Sequence, residues 1–397
     1  MPGQSETLVA VLLPRPSAAD AVRSAWDAGE AIAVLDPEAP AAVTSHLLQT
    51  IAPTHVHDRD GRRPFASGRP VPPGTAAVVA TSGTTGEAKG VELTTAGLEA
   101  IGVAFAAACE TGPDDRALVC LPLHHVAGLA VLARARVAGT PIEVHEGFDV
   151  DAVAAAPSAL GSTLVSLVPT MLRRLLDAEA PLDRYRQIIV GGAPTPPALR
   201  ARAEAAGAPV VDAYGMSETW GGFVLDGVPI QGADVTIADG GEILLRGAMV
   251  MRGYRLHDEH AAAALTSTAF TDDGRLRTGD IGDIDPLGRV RVLDRSRDIV
   301  ITGGVNVAPT TVEAVLVEHP MIADVCVAGA PDDERGERVV AFVVPRDNDH
   351  APTLDELRAF AKDQLTAAQL PRELVLLDTI PRTPGGKAQR HRLRARP

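Results

Sequence analysis

The chain's clearest chemical feature is Thr81-Ser82-Gly83-Thr84-Thr85-Gly86-Glu87-Ala88-Lys89-Gly90, a run of small hydroxylated residues and glycines closed by a lysine. It directly follows the apolar residues 76–80. Glycine-rich backbone at the end of a buried strand can turn its N–H groups around a phosphate, and the hydroxyls and Lys89 add donors and charge. The P-loop pattern G-x-x-x-x-G-K-[ST] does not fit. Lys89 falls three residues after Gly86, and Gly90 takes the place of the metal-binding hydroxyl. Taken alone, the loop also reads as a flexible surface turn and Lys89 as a solvated lysine.

Further motifs follow in order: Tyr214-Gly215-Met216-Ser217-Glu218-Thr219, then Thr278-Gly279-Asp280, then residues 294–298 leading into Gly303-Gly304, and Gly385-Gly386-Lys387. Together with the loop they resemble the acyl-adenylate-forming superfamily of acyl-CoA ligases, luciferases and adenylation domains, over residues 76–390. The resemblance implies a two-step reaction. A carboxylate attacks the α-phosphorus of ATP to give acyl-AMP and pyrophosphate, and a thiol then takes the acyl group. Such chemistry needs positioning and charge stabilisation more than a protein nucleophile.

The resemblance also assigns roles. Thr81, Ser82, Gly83, Thr84, Thr85, Gly86 and Lys89 would hold the β- and γ-phosphates. Glu218 would bind Mg2+, a hard cation suited to carboxylate oxygens. Ser217 would donate to the α-phosphate, and Tyr214 and Gly215 would lie along the adenine opposite Gly191, Gly192 and Ala193. Asp212 would read the adenine amino group. Asp280 and Arg295 would hold the ribose, and Lys387 would bridge the carboxylate and the α-phosphate. Arg297 stands at the family's hinge, where Asp or Lys is usual. Each residue has a plainer reading: a helix-starting Glu218, a strand-end Asp212, a turn-forming Asp280, a surface Arg295, and Lys387 as part of a basic tail with Arg390, Arg392, Arg394 and Arg396.

His124 and His125, in LPLHHVAG, point different ways from one element and lack a nearby third ligand, which argues against a metal site. In the family the second histidine lines the acyl pocket, so His125 takes that role and His124 reads as a satisfied core residue. LPLHHVAG with YGMSETWGGFVLDGVPI is similar to 2-succinylbenzoate–CoA ligases of menaquinone biosynthesis, which implies Gly192, Trp220, Gly221 and Gly222 in acyl binding. Trp220 would narrow that pocket or pack against the following β-rich segment. Another aryl or short-chain acid–CoA ligase, and an adenylation module loading a carrier-protein thiol, are the alternatives. A non-catalytic relative is disfavoured because Lys89, Glu218, Asp280, Arg295 and Lys387 are all present.

These residues need a scaffold. Residues 117–121, 163–168, 187–190 and 209–212 read as strands, while 95–109, 171–176 and 197–206 have helical spacing or composition. Their alternation predicts an α/β domain with mostly parallel sheets flanked by helices, with ligands beyond the carboxyl ends of the strands. Short β-like runs at 235–237, 242–246 and 289–293 predict a small β-subdomain. Residues 299–302, 324–328 and 339–344 read as strands, and 310–318 and 354–365 as helices, giving an α+β lid. The expected organisation is 1–294 for the AMP- and acyl-binding domain, 295–297 for the hinge and 298–397 for a mobile lid. Residues 62–74, rich in Pro and Gly, read as a loop.

The length of 397 residues suits two domains, and a net charge of -14 argues against a nucleic-acid partner. Cys109, Cys120 and Cys326 are too scattered for a disulfide framework or zinc site and read as buried, reduced thiols. No secretory signal is evident, and apolar stretches such as 126–133, stopped by Arg134, fall short of a bilayer span. The expected partners are therefore ATP, Mg2+, coenzyme A and a small carboxylic acid in the cytoplasm, without membrane insertion; a homodimer is compatible with this.

Overall fold

The computed structural model describes residues 6–82, 88–382 and 388–394. The chain divides into two compact units. One holds residues 1–195, 199–236 and 244–277, and the other holds 196–198, 237–243 and 278–397.

The first unit contains two seven-stranded sheets. One is built from β1 (Leu8–Val11), β2 (Ala31–Val34), β3 (His55–Asp58), β4 (Gly61–Pro64), β5 (Thr75–Ser82), β6 (Ala88–Thr94) and a later strand, β16 (Gly253–Arg255). Its order is β16-β6-β5-β2-β1-β3-β4, parallel at the centre and antiparallel toward both edges. Helices α1 (Arg15–Asp27) and α2 (Ala41–Ile51) connect its early strands. Residues 62–64, expected in a loop, pair with β3 instead.

The second sheet uses β7 (Ala117–Val119), β8 (Ile142–Val144), β9 (Leu164–Leu167), β10 (Gln187–Gly191), β11 (Val210–Met216), β12 (Gly221–Leu225) and β13 (Val228–Pro229). Strands β8, β7, β9, β10 and β11 are parallel neighbours, and β12 and β13 return antiparallel. The connecting helices are α3 (Thr95–Cys109), α4 (Val126–Ala138), α5 (Val150–Leu160), α6 (Pro169–Asp177) and α7 (Pro197–Ala205). Leu118, Val165, Ile188 and Val190 pack against Leu172, Leu175 and Leu199 in one buried cluster. Each such side chain contributes about 1.5–3 kcal/mol by leaving water. The predicted strands and helices of this region are thus observed, with parallel strands fed by helices. Arg134 ends the apolar stretch, as expected, but not the helix: α4 continues through it to Ala138, still short of a bilayer span. A long side chain can be carried inside a helix that packs on both sides when its charged end finds polar atoms.

Beyond Trp220 the β-rich texture is supplied by β14 (Asp234–Ile237), β15 (Glu242–Arg246), β17 (Leu276–Ile284) and β18 (Val290–Arg295), with one helix, α8 (Glu259–Thr268). In the second unit, β17 and β18 pair antiparallel. They are followed by β19 (Val300–Thr302), β20 (Val305–Val307), α9 (Pro309–Leu316), β21 (Ile322–Asp332), β22 (Gly336–Pro345), α10 (Leu354–Ala361), β23 (Glu373–Leu376) and α11 (Arg390–Arg394). Val312, Leu316, Val325, Val339 and Leu357 form the core here. Two arginines of the basic tail are not surface decoration. Arg390 is 7% exposed, donates to both carboxylate oxygens of Glu313 and to the Val327 carbonyl, while Arg394 donates to the carbonyls of Arg297 and Asp298. Among the described residues no helix is long and apolar enough to cross a membrane.

Candidate functional site

The described ends of the phosphate-loop motif lie on two paired strands, Thr81 and Ser82 closing β5 and Ala88, Lys89 and Gly90 opening β6. Strand β5 runs two residues past its apolar stretch, and β6 returns antiparallel, placing Thr81 opposite Lys89 and Ser82 opposite Ala88. Lys89 and Gly90 are weak strand formers, which is why β6 was not legible in the sequence. The Thr81 hydroxyl donates to the Lys89 carbonyl at 3.4 Å. Residues Gly83, Thr84, Thr85 and Gly86 lie outside the described residues.

The Lys89 ammonium donates to Glu218 Oε1 at 3.3 Å. Tyr254, on β16 beside β6, donates its hydroxyl to the same oxygen at 2.9 Å, and Lys89 Nζ lies 3.7 Å from its ring centroid. A strand pairing of Tyr254 with Val91 fixes that ring next to the loop. Tyr254 was missed by sequence reasoning, because a tyrosine in a short β-rich segment gives no local sign of which distant carboxylate it meets. Glu218 Oε2 has no hydrogen-bond partner among the described residues. A hard carboxylate oxygen, offered from a side chain 11% exposed, fits a divalent cation that also binds phosphate oxygens.

Glu218 is held by a tight local fold. Strand β11 carries Tyr214, Gly215 and Met216 straight into the 3₁₀ turn Ser217–Thr219, so Glu218 is buried in a turn and does not start an α-helix. Thr219, fully buried, accepts from the Met216 N–H and donates to the Gly221 carbonyl. A Cβ on Gly215 would stand 1.9 Å from the Gly221 carbonyl oxygen, so only glycine fits this crossing. The Tyr214 ring packs 4.9 Å from Phe223, and Ser217 is half-buried at the start of the turn. Gly191 ends β10, and Gly192 and Ala193 follow it at the same carboxyl edge, adjacent to β11. Asp212 is not a bare strand-end carboxylate: Thr195 donates to one oxygen at 2.5 Å and Arg200 to the other at 2.9 Å.

His125 caps the start of α4, its ring 4.5 Å from His124. The side chain is exposed, yet enough protein surrounds it that desolvation first, and the His124 charge second, hold its pKa below the ordinary imidazole value. It is neutral at pH 7. His124 is half-buried rather than a core residue. Gly128 lets α4 start there, for a Cβ would lie 2.3 Å from the Pro122 carbonyl oxygen. Gly221 and Gly222 open β12. Trp220 is wholly buried, its indole N–H donating to the Thr94 carbonyl and its ring edge-on to Trp26 at 6.3 Å. It packs where β6 meets α3, and so offers no exposed surface to an acyl group.

In the second unit Asp280 and Arg295 face each other across β17 and β18, with Arg295 Nε 2.8 Å from Asp280 Oδ1. Arg295 also donates to the Thr278 carbonyl, and the Thr278 hydroxyl accepts from the Asp280 N–H. Arg297 is exposed in the short 3₁₀ turn Ser296–Asp298. Lys387 lies outside the described residues. The three cysteines are buried, with burial pushing their thiols up to about 11 for Cys109 and about 12 for Cys120 and Cys326.

Residues 4–255 match the model of the AMP-binding enzyme family, and residues 311–387 match that of the AMP-binding enzyme C-terminal domain. The chain is 40% identical over 325 residues to a probable 2-succinylbenzoate–CoA ligase of Mycobacterium tuberculosis, covering 79% of this chain and 82% of that one. It is 37% identical over 345 residues to the 2-succinylbenzoate–CoA ligase of Bacillus pumilus, covering 81% and 69%. Its fold is similar to that of o-succinylbenzoate CoA synthetase (MenE) from Bacillus subtilis in complex with the acyl-adenylate intermediate OSB-AMP. The TM-score is 0.85 at 28% identity, covering 99% of this chain and 89% of that one. The same Bacillus subtilis protein has also been solved with ATP and a magnesium ion, and that structure matches with TM-score 0.83.

Proposed function

The chain belongs to the AMP-binding enzyme family, and on that premise we propose that it is an ATP-dependent acid–CoA ligase whose acid is 2-succinylbenzoate. The observation that carries this reading is the meeting of Lys89 and Glu218, residues 129 positions apart, at 3.3 Å. A phosphate-loop cation and a metal-suited carboxylate are thereby gathered at one edge of two sheets. The likeness to relatives that carry this ligase name, over four-fifths of the chain, supports the substrate.

In this reading the acid's carboxylate attacks the α-phosphorus and the bond to pyrophosphate breaks; the coenzyme A thiol then attacks the acyl carbon and AMP leaves. Mg2+, when bound at Glu218, neutralises phosphate charge. The residues 81–86 and Lys89 hold the β- and γ-phosphates, for which Lys89 must leave Glu218. Ser217 donates to the α-phosphate. Tyr214, Gly215, Gly191, Gly192 and Ala193 frame the adenine, and Asp212 still has acceptor capacity beyond its two present partners. Asp280, oriented by Arg295, accepts from the ribose hydroxyls. Neutral His125, with Gly192, Gly221 and Gly222, borders the acyl group. Lys387 bridges carboxylate and α-phosphate, and the lid of residues 298–397 turns about Arg297 between the two steps. The enzyme works in the cytoplasm, and a homodimer is compatible with the reading.

The test is AMP release with coenzyme A for four acids: 2-succinylbenzoate, its analogue lacking the ring carboxylate, benzoate and a medium-chain fatty acid. A site built to satisfy a second carboxylate leaves polar groups unpaired when it is missing, so the analogue should be poor. Equal or better turnover of benzoate or the fatty acid would remove the substrate assignment and leave the ligase chemistry standing. Lys387→Ala should slow adenylation about 100- to 1,000-fold, by analogy with losing one preorganised donor. Thioester formation from supplied acyl-AMP should survive, and equal loss in both half-reactions would refute the role.

A further inference from the structure

The described residues on either side of Lys387 are fastened to the body of the second unit. Before it, Arg382 Nη2 donates to both carboxylate oxygens of Asp324, at 2.7 and 3.0 Å. After it, Ala388 forms an isolated bridge with Arg382, and the Gln389 N–H donates to the Pro381 carbonyl at 2.8 Å. Helix α11 then begins at Arg390, three residues beyond Lys387. Its Leu393, 1% exposed, packs with Cys326, Ala328, Val340 and Phe342 of β21 and β22, while Arg390 is paired with Glu313 of α9.

The last residue of α11 reaches elsewhere. Arg394 Nη1 donates to the Arg297 carbonyl at 3.0 Å, and Nη2 donates to the Asp298 carbonyl at 3.1 Å. Arg390 Nη1 also stands 3.7 Å from Asp298 Oδ2. Two arginines one helical turn apart thus converge on the short turn Ser296–Asp298. The last carbonyls of a helical turn have no partner within it, and a guanidinium supplies two charged donors held in one plane. Among the described residues no carboxylate pairs with Arg394, so its charge is directed at the turn.

The choice of carbonyls has a mechanical consequence. A peptide unit is planar, so the Arg297 carbonyl moves with the Asp298 nitrogen. Both accepting oxygens therefore lie on the C-terminal side of the Arg297 Cα, and a change in that residue's φ or ψ carries them along with residues 298–397. Arg394 grips the side of the turn that would move.

We infer that Arg394 is a positioning residue for adenylation: it ties the helix that follows Lys387 to the moving side of the hinge turn, so that rotation about Arg297 is delivered to Lys387. The inference rests on the roles proposed above for Lys387 and Arg297, and Arg394 acts through Lys387. The two half-reactions of the full chain test it, read as pyrophosphate release for adenylation and as thioester formation from supplied acyl-AMP. Arg394→Met should slow adenylation about tenfold, the scale of one hydrogen bond to a charged group, with the KM for ATP and the thioester step unchanged. Arg394→Lys, which keeps the charge without the fork, should recover part of the loss. In a Lys387→Ala background Arg394→Met should have no further effect, because residues acting through one another are not additive. Unchanged adenylation in Arg394→Met, an equal loss in both half-reactions, or the same tenfold loss in the Lys387→Ala background would overturn the inference. Lys387→Ala alone separates the two levels: full adenylation in that variant removes the underlying reading and the inference with it, whereas a slowed variant that Arg394→Met slows further removes the inference only. If urea denaturation shows Arg394→Met to be unfolded, Arg394→Lys in the two backgrounds supplies the same comparison.

Discussion

Two carboxylates, Glu218 in the first unit and Glu313 in the second, both meet a cation, and they are finished differently. Glu313 accepts from the Val327 N–H and from Arg390 at both oxygens, so both oxygens are engaged inside the fold. Burial works against the Arg390 charge, but Glu313 and Asp294 outweigh it and its pKa stands above the ordinary value. Glu218 receives Lys89 and Tyr254 on one oxygen only. The contrast separates a carboxylate that fastens α9 to the chain's last helix from one that retains capacity for a ligand.

The largest effect should come from breaking the closed pair. Arg390→Met leaves Glu313 without its cation and should cost about 3 kcal/mol, the scale for breaking a largely buried pair. Urea unfolding followed by circular dichroism measures this. Adding Glu313→Leu should recover most of the loss; if the double variant is as unstable as the single, the pair is not what stabilises the second unit.

Glu218→Gln should behave in the opposite way, leaving the unfolding midpoint nearly unchanged while raising the magnesium needed for half-maximal pyrophosphate release by roughly tenfold or more. Unchanged magnesium dependence would place Glu218 with Glu313 as a structural carboxylate. Tyr254→Phe sharpens the same contrast. It removes the hydroxyl that fixes Oε1 and keeps the ring beneath Lys89, so magnesium affinity should fall by about two- to tenfold, the worth of one hydrogen bond. Tyr254→Leu also removes the cation–π contact and should weaken ATP binding further, by about 0.5–1 kcal/mol in calorimetric titration. Equal ATP affinities for the Phe and Leu variants would show that the ring does not position Lys89.

The smallest effect concerns His125, which is neutral at pH 7. Its folded pKa is lowered, so below about pH 6.5 the unfolded chain takes up a proton that the folded protein resists. Stability should be fully present above that pH and decline as pH falls toward about 4, the folded value. Exposure screens the effect. A shallower decline in His125→Gln, read as midpoint temperature against pH, is the expected outcome, and an identical slope would assign the decline to other groups.

The alternation of strands and helices from Ala76 onward is legible in the chain, because apolar periodicity and Gly-rich turns are local signals, and so are the motifs that carry the family. Ser217 and Glu218, for example, announce themselves by their neighbours within one turn. The rest rests on long-range contacts. That β5 and β6 make a hairpin depends on strand pairing, which weak strand formers such as Lys89 and Gly90 do not advertise. That Trp220 serves the core, that Arg390 closes on Glu313, and that Tyr254 meets Glu218 all depend on contacts between residues at least 36 positions apart. A residue's type sets what it can donate or accept; only the folded backbone sets which distant group stands within 3 Å to receive it.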